Sequence, residues 1–412
     1  MTDQFNSPIN RHIYNYFLIF FSVIPISIVA GPSVSLINIL IIDISFVILI
    51  IIKKDFYFLS NKNFRYLVIL YLYLILNTFI SLDYSMSLSR NLGFVRMIIL
   101  FLAINYFFNI KYFFKKVFLF WSFFLCVLVF DIFYEFYIGQ NIFGFKGDYG
   151  NRIVSFFKDE PIAGSFVSAF FLLIGGFYLN EYKKHKFWII FFIIIVLISI
   201  LFTGERSSFL KSLAGFIIFL LFFKEYTSKS KILFALAIII SLLSIITHSD
   251  FLKHRFIKQF KVIIISVEDN HYIRLQKSGL EVFYENKLFG VGNKNYRVDT
   301  CKNPSLEKQK FYVKYCSTHP HQVYLEFLSE HGLIGFILLL FIFYKLIFSK
   351  IKATLNSKNY IGLGALCYLV FTFTPIIPSG AFFNDFSLTL FFINLSIFCA
   401  SNSNLNHSSR PV

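Results

Sequence analysis

Residues 317–344 read STHPHQVYLEFLSEHGLIGFILLLFIFY. A polar head carrying His319, His321, Glu326, Glu330 and His331 runs straight into an apolar tail fit only for lipid. Ionisable groups at such an edge are costly unless they face a cavity or a partner. The tail therefore marks a membrane span, and the head marks a place where chemistry can meet the membrane surface.

The same kind of apolar tail recurs along the chain. Of 412 residues, 57% are hydrophobic and 15% charged, and the mean hydropathy is +0.68. Runs of about 17–22 apolar residues match the ~30 Å hydrocarbon core of a bilayer at 1.5 Å rise per residue. Twelve are expected: 14–30, 34–52, 66–82, 92–108, 117–138, 161–179, 187–203, 208–223, 232–247, 323–344, 360–377 and 382–400. The expected fold class is an all-α polytopic membrane protein of about 12 transmembrane helices. It divides into spans 1–9 (1–247), one large loop region (248–322), and spans 10–12 with a tail (323–412). The first apolar run lacks a small-residue cleavage site and is followed by more spans, so it reads as a span rather than a removable signal.

The net charge of +17 does not point to nucleic acid. Lys53, Lys54, Lys62 and Arg65 follow the second run; Lys111, Lys115 and Lys116 the fourth; Lys183, Lys184 and Lys186 the sixth. Lys224, Lys229 and Lys231 follow the eighth, and Lys345, Lys350, Lys352 and Lys358 the tenth. Basic residues in every second short loop place both termini in the cytoplasm and the alternate loops outside. The long loop, 248–322, falls outside and holds thirteen Lys and Arg against seven Asp and Glu. A net excess of six positive charges beside a membrane suits an anionic headgroup or phosphate, with plain solvation as the bland alternative. Within the loop, Asp269 or Asn270 is expected to cap a helix running to about Glu285. Its apolar residues Tyr272, Ile273, Leu280, Phe283 and Tyr284 are expected to lie on the membrane surface. NKLFGVGNKNY, from Asn286 to Tyr296, carries turn residues. Cys301 and Cys316 share this loop, where an oxidising compartment permits a disulfide; free thiols are the alternative.

Several side chains are candidates for chemistry. Arg206 lies in TGERSSFL, a short outward turn where topology does not call for a cation. Its planar fork of donors matches phosphate oxygens, and a snorkelling side chain is the other reading. Lys211 lies deeper on the same run. Arg274 sits on the expected loop helix, where most arginines are merely solvated. His321 stands at the mouth of the tenth run and can exchange a proton near neutral pH, or serve as a hydrogen-bonded structural residue. Pro320 suits the first helical turn. Gln322, Glu326 and Glu330 share one helical face, so the two carboxylates can orient His321 or line a cavity. Gly332 and Gly335 permit close helix packing. His319 and His321 would not share a helical face, and no metal-binding motif occurs, so no metal or cofactor is expected. Asp43, Asp131 and Glu135 in or near spans keep a transporter open as a rival class.

Two of these stretches resemble the bacterial O-antigen ligases. His321-Gln322, nine residues, Gly332, two residues and Gly335 is similar to their H-[N/S/Q]-x9-G-x-x-[G/T/Y] motif, and Arg206-Ser-Ser-Phe-Leu210 to their R-x3-L motif. The order of spans, motifs and large loop also agrees. The resemblance implies metal-independent, inverting glycosyl transfer at the periplasmic face of the bacterial inner membrane. The implied donor is a glycan on undecaprenyl diphosphate, and the implied acceptor a hydroxyl of lipid A–core. Two arginines would hold the diphosphate: Arg206 by its motif, and Arg274 by its place in IRLQKSGLEVFYENKLFGVGN. His321 would serve the acceptor, as base or as orienting donor. Arg152 occupies a common outer-loop position of the family, with no role assigned. The related O-antigen polymerases use a second lipid-linked glycan as acceptor and are the nearest alternative. Membrane lipids are expected partners; nucleic acid is not.

Overall fold

The structure is a computed structural model that describes residues 8–110, 112–147, 152–261, 270–302, 314–375 and 377–407. Every regular element among them is helical. The expected runs are found in Pro8–Ala30, Pro32–Lys53, Lys62–Phe79, Val95–Phe108, Phe113–Ile138, Ala163–Glu181, Lys186–Phe202, Arg206–Phe222, Ser228–His248, Val323–Leu346, Tyr360–Thr372 and Asp385–His407. Among the described residues, 9 helical stretches are long and apolar enough to cross a membrane. Lys62–Phe79, Arg206–Phe222 and Tyr360–Thr372 are not among them. Tyr360–Thr372, with 13 residues, is only about 20 Å long. The expected run to 377 stops early because Pro375 and Pro378 cannot continue a helix.

Large apolar side chains such as Ile37, Phe123, Leu236 and Ile337 are exposed around the bundle, as lipid-facing positions should be. The centre is built from Ala163–Glu181, Tyr360–Thr372 and Asp385–His407. Small residues set the closest crossing: a Cβ on Gly364 would lie 2.1 Å from the Leu172 carbonyl oxygen, and one on Gly176 equally close to that of Tyr360. Such approaches let van der Waals contact hold helices together where lipid gives no hydrophobic drive.

The long loop folds back onto this bundle. Its helix, His271–Glu285, starts where Asn270 Oδ1 accepts the Tyr272 amide at 2.9 Å; Asp269 lies outside the described residues. Of the residues expected to face the membrane surface, Tyr284 is exposed, and the opposite side of the helix packs inward. It buries Leu275, Ser278, Gly279 and Val282 against the protein, where a Cβ on Gly279 would lie 2.8 Å from the Pro320 side chain. Pro320 accordingly precedes the next helix, which begins at Val323 with Gln322 as its cap. A Cys301–Cys316 disulfide closes the loop, and Lys314 bridges Glu285 and Asp299 beside it.

Helix Val323–Leu346 is broken at Gly332, whose φ of 63° and ψ of −171° are not helical. The freed backbone groups pair with the Asn286–Tyr296 turn: Leu333 N–H donates to the Lys287 carbonyl at 2.8 Å and Ile334 N–H to Leu288 at 3.2 Å. In return Val291 N–H donates to Ser329 at 3.0 Å and Gly292 N–H to Glu330 at 2.9 Å. Asparagines hold the turn from beneath. The Asn293 amide donates to Asn77 at 2.7 Å, its side chain to Asn91 at 2.5 Å, and Asn295 to Ser87 at 2.8 Å. Gly335 then passes against Tyr73, whose hydroxyl would lie 1.8 Å from any Cβ there.

Gly332 occupies a backbone region essentially closed to other residues, at a cost of order 1–3 kcal/mol. A Cβ at Gly332 would also lie 2.4 Å from the Leu288 carbonyl. Gly332→Ala should therefore lower the thermal unfolding midpoint of the protein in lipid nanodiscs. An unchanged midpoint would show that the break is not essential.

Candidate functional site

The site is built around the turn Thr203–Arg206. Gly204, at φ +70°, turns the chain from Lys186–Phe202 into Arg206–Phe222. Glu205 is buried and faces the start of Ala163–Glu181. Its carboxylate accepts the Gly164 and Ser165 amides at 2.5 and 3.0 Å and the Ser165 and Ser208 hydroxyls at 2.7 and 2.9 Å. A carboxylate is favoured at a helix N-terminus, where free N–H groups and the dipole meet it. Burial pushes its pKa up, while these hydrogen bonds oppose the shift. Glu205 is thus committed to the helix start and forms no ion pair with its neighbour Arg206. The Arg206 Nη1 is buried without a hydrogen-bond partner among the described residues.

A second guanidinium reaches the same turn from the long loop. Arg255, buried in the short helical segment His254–Lys258, donates to the Gly204 carbonyl from Nε and Nη2 at 3.3 and 3.0 Å. Its Nη1 donates to Gln259 at 2.8 Å. Burial, followed by the charges of Arg152 and Arg206, lowers its pKa to about 10. Arg152 is brought near by the loop after Phe113–Ile138. Glu135 accepts the Val154 and Ser155 amides at 3.1 and 2.6 Å, and Asp131 accepts the Ile142 amide and Ser155 hydroxyl at 3.0 and 2.5 Å. These two acids therefore anchor a loop. Asp43 forms no such bond: both its carboxylate oxygens are buried without a partner among the described residues.

Arg152, Arg206 and Arg255 line one cavity of about 1000 Å³ with His321 and Tyr272. Its deeper wall, from Phe171, Leu172, Tyr368, Phe371 and Leu390, is apolar. Gly215 also lines it, nine residues below Arg206 and so ~13 Å further along the helix axis. Three like charges beside a low-dielectric wall repel one another unless an anion joins them. The cavity therefore has the charge and shape to accept an anionic head with an apolar tail.

His321 comes to this cavity from a strained backbone. Its φ is +53°, uncommon for a residue with a Cβ, and the Ser379 amide fixes its carbonyl at 2.9 Å. The turn brings His319 and His321 together, with ring centroids 3.9 Å apart. The expected separation of the two rings assumed helix, but the helix starts only at Val323. Tyr272 meets the His321 ring edge-on at 5.6 Å. Burial, and then the charge of His271, lowers the His321 pKa, with a Ser379 backbone group opposing. His319, buried with Nε2 unpartnered, is pushed down to about 3, chiefly by burial.

The other expected residues lie elsewhere. Arg274 does not line the cavity; it is exposed, and its guanidinium stacks over Tyr315 at 4.8 Å. Glu326 accepts the Phe382 amide at 2.8 Å and anchors the loop that carries Ser379. Glu330 accepts from the Tyr296 amide at 3.4 Å beneath the Asn286–Tyr296 turn. Sequence reasoning passed over Arg255, hidden among many basic loop residues. A usable signal was present: Phe251, Leu252, Arg255 and Phe256 fall on one helical face, so the arginine interrupts an apolar stripe.

Residues 190–340 match the family described as O-Antigen ligase. The match takes in Arg206, Arg255, Arg274 and His321 together. No curated protein matches the chain.

Both histidines should titrate below their ordinary value. An unfolded histidine gains its proton near pH 6.5, whereas His319 resists protonation down to about 3. Between those limits the unfolded state binds more protons, so stability falls as pH falls. Histidine-selective NMR should find His319 neutral at pH 5 and His321 still mostly neutral at pH 6.5. His271→Gln, by removing a nearby charge, should move the His321 titration upward; an unmoved curve would contradict this geometry.

Proposed function

We propose, on the premise that residues 190–340 make this chain a member of the O-antigen ligase family, that it transfers a glycan from undecaprenyl diphosphate to a lipid A–core hydroxyl. The convergence of three guanidinium groups and His321 on one cavity with an apolar floor carries this reading. Arg206 and Arg255 hold the donor diphosphate beside Arg152, and the prenyl tail lies along the apolar wall. The acceptor oxygen attacks the anomeric carbon from the His321 side. The bond from that carbon to the diphosphate oxygen breaks, and its electron pair leaves with the diphosphate. Fixed cations in a partly dry site stabilise that developing charge. His321, neutral at working pH, takes the acceptor proton. Attack opposite the leaving group inverts the anomeric centre. The guanidinium groups supply positive charge of the kind a metal supplies elsewhere, so transfer should proceed in EDTA. The reaction belongs on the periplasmic face of the inner membrane, with both chain termini in the cytoplasm. Arg274, stacked on Tyr315 outside the cavity, does not touch the diphosphate.

The protein reconstituted with undecaprenyl-diphosphate oligosaccharide and lipid A–core should move glycan to lipid A–core. His321→Ala should lower the rate by at least ~100-fold. Arg206→Ala and Arg255→Ala should each cost more than Arg274→Ala. Longer glycan that stays on undecaprenyl diphosphate would make the protein a polymerase using the same donor site. Full activity in His321→Ala would overturn the assignment.

A further inference from the structure

We infer that Lys211 is a further donor-binding residue, the contact for the lipid-proximal phosphate, and that it lets the site prefer a lipid diphosphate over a lipid monophosphate; this rests on the donor reading above. Ser207, Lys211 and Gly215 recur every four residues, so they form one row on helix Arg206–Phe222. All three line the cavity. The row therefore faces the site and presents a cation at depth. Its ammonium has no ion pair or hydrogen bond among the described residues.

Glu205 is the one carboxylate among the described residues that line the cavity, and it and the more remote Asp385 are already engaged. Glu205 is held by Gly164, Ser165 and Ser208, and Asp385 is held by Arg90 and Arg96. A lysine within a span normally snorkels to water or pairs with a partner. Here the cavity that all three residues line gives the row a polar route.

Depth decides which group Lys211 meets. Lys211 lies five residues below Arg206, about 7.5 Å along the helix axis. Side chains on a helix lean toward its N-terminus, so the ammonium leans back toward Arg206. The guanidinium groups of Arg206 and Arg255 gather at the turn, next to His321 and the reacting sugar. A diphosphate held there by its sugar-linked phosphate extends its second phosphate toward the lipid, into the space beneath the turn. A compact ammonium with three donors meets that phosphate as a point charge. A monophosphate drawn to the three guanidinium groups leaves Lys211 without a contact.

The test is a binding titration in nanodiscs, read by native mass spectrometry, with undecaprenyl diphosphate and undecaprenyl monophosphate as probes. Lys211→Met should weaken diphosphate binding about tenfold, the loss of one charge-assisted hydrogen bond. It should leave monophosphate binding unchanged, which also shows that the variant is folded. Lys211→Arg should retain the preference. Equal weakening of both probes, or no weakening of either, would overturn the inference. Arg206→Ala should weaken both probes. If Arg206→Ala weakens both while Lys211→Met weakens neither, only this inference falls. If Arg206→Ala weakens neither, the donor reading falls and takes this inference with it.

Discussion

In the apolar interior, backbone groups that leave a helix must find partners, since neither lipid nor water supplies them there. At Gly332 the helix Val323–Leu346 gives up its own ladder, and the Asn286–Tyr296 turn supplies the missing bonds. This exchange joins two distant parts of the sequence. It ties the long loop to a membrane helix and fixes the helix that starts beside His321. Asn77, Asn91 and Ser87 lock the same turn from the other side. Asn77, Asn91 and Ser87 are buried with their side-chain polar atoms paired, so they resist slippage of the turn.

A second constraint governs the cavity. Cations collected at a low-dielectric wall need either acids or a bound anion. The acids near the turn are committed elsewhere: Glu205 holds a helix start, Asp131 and Glu135 anchor a loop, and Glu326 anchors another. Arg206 and Arg255 line the cavity without an ion pair to any of these acids. Carboxylates thus build the frame and guanidinium groups face the cavity. Among the described basic residues of the long loop, Arg255 is the one that lines the cavity. The loop's charge is not evenly spread in function: Lys314 is spent on Glu285 and Asp299, and Arg274 on Tyr315.

The sequence made the helices legible because lipid demands long apolar runs, and it marked Arg206 and His321 because each breaks a topological expectation. The shared compartment left a 301–316 disulfide and free thiols both open, and the structure forms the disulfide. What escaped depended on where side chains end up rather than on which side chains they are. Asp131 and Glu135 look like transport residues until their partners are known. Gly332 looks like a packing glycine, although its φ and ψ make it a break. His319 and His321 look separated because the helix was expected to begin at Pro320, two residues before its cap. Arg255 sits in a loop whose folding onto the Gly204 carbonyl is a long-range event, so local pattern carries only a faint trace of it.

The most direct test of the account is a cryo-EM structure of the His321→Ala protein in nanodiscs with undecaprenyl-diphosphate oligosaccharide bound. The account predicts diphosphate density within hydrogen-bond distance of the Arg206 and Arg255 guanidinium groups. The prenyl tail should follow Phe171 and Leu172, and the sugar should face position 321. Diphosphate density beside Arg274 and Tyr315, outside the cavity, would contradict it.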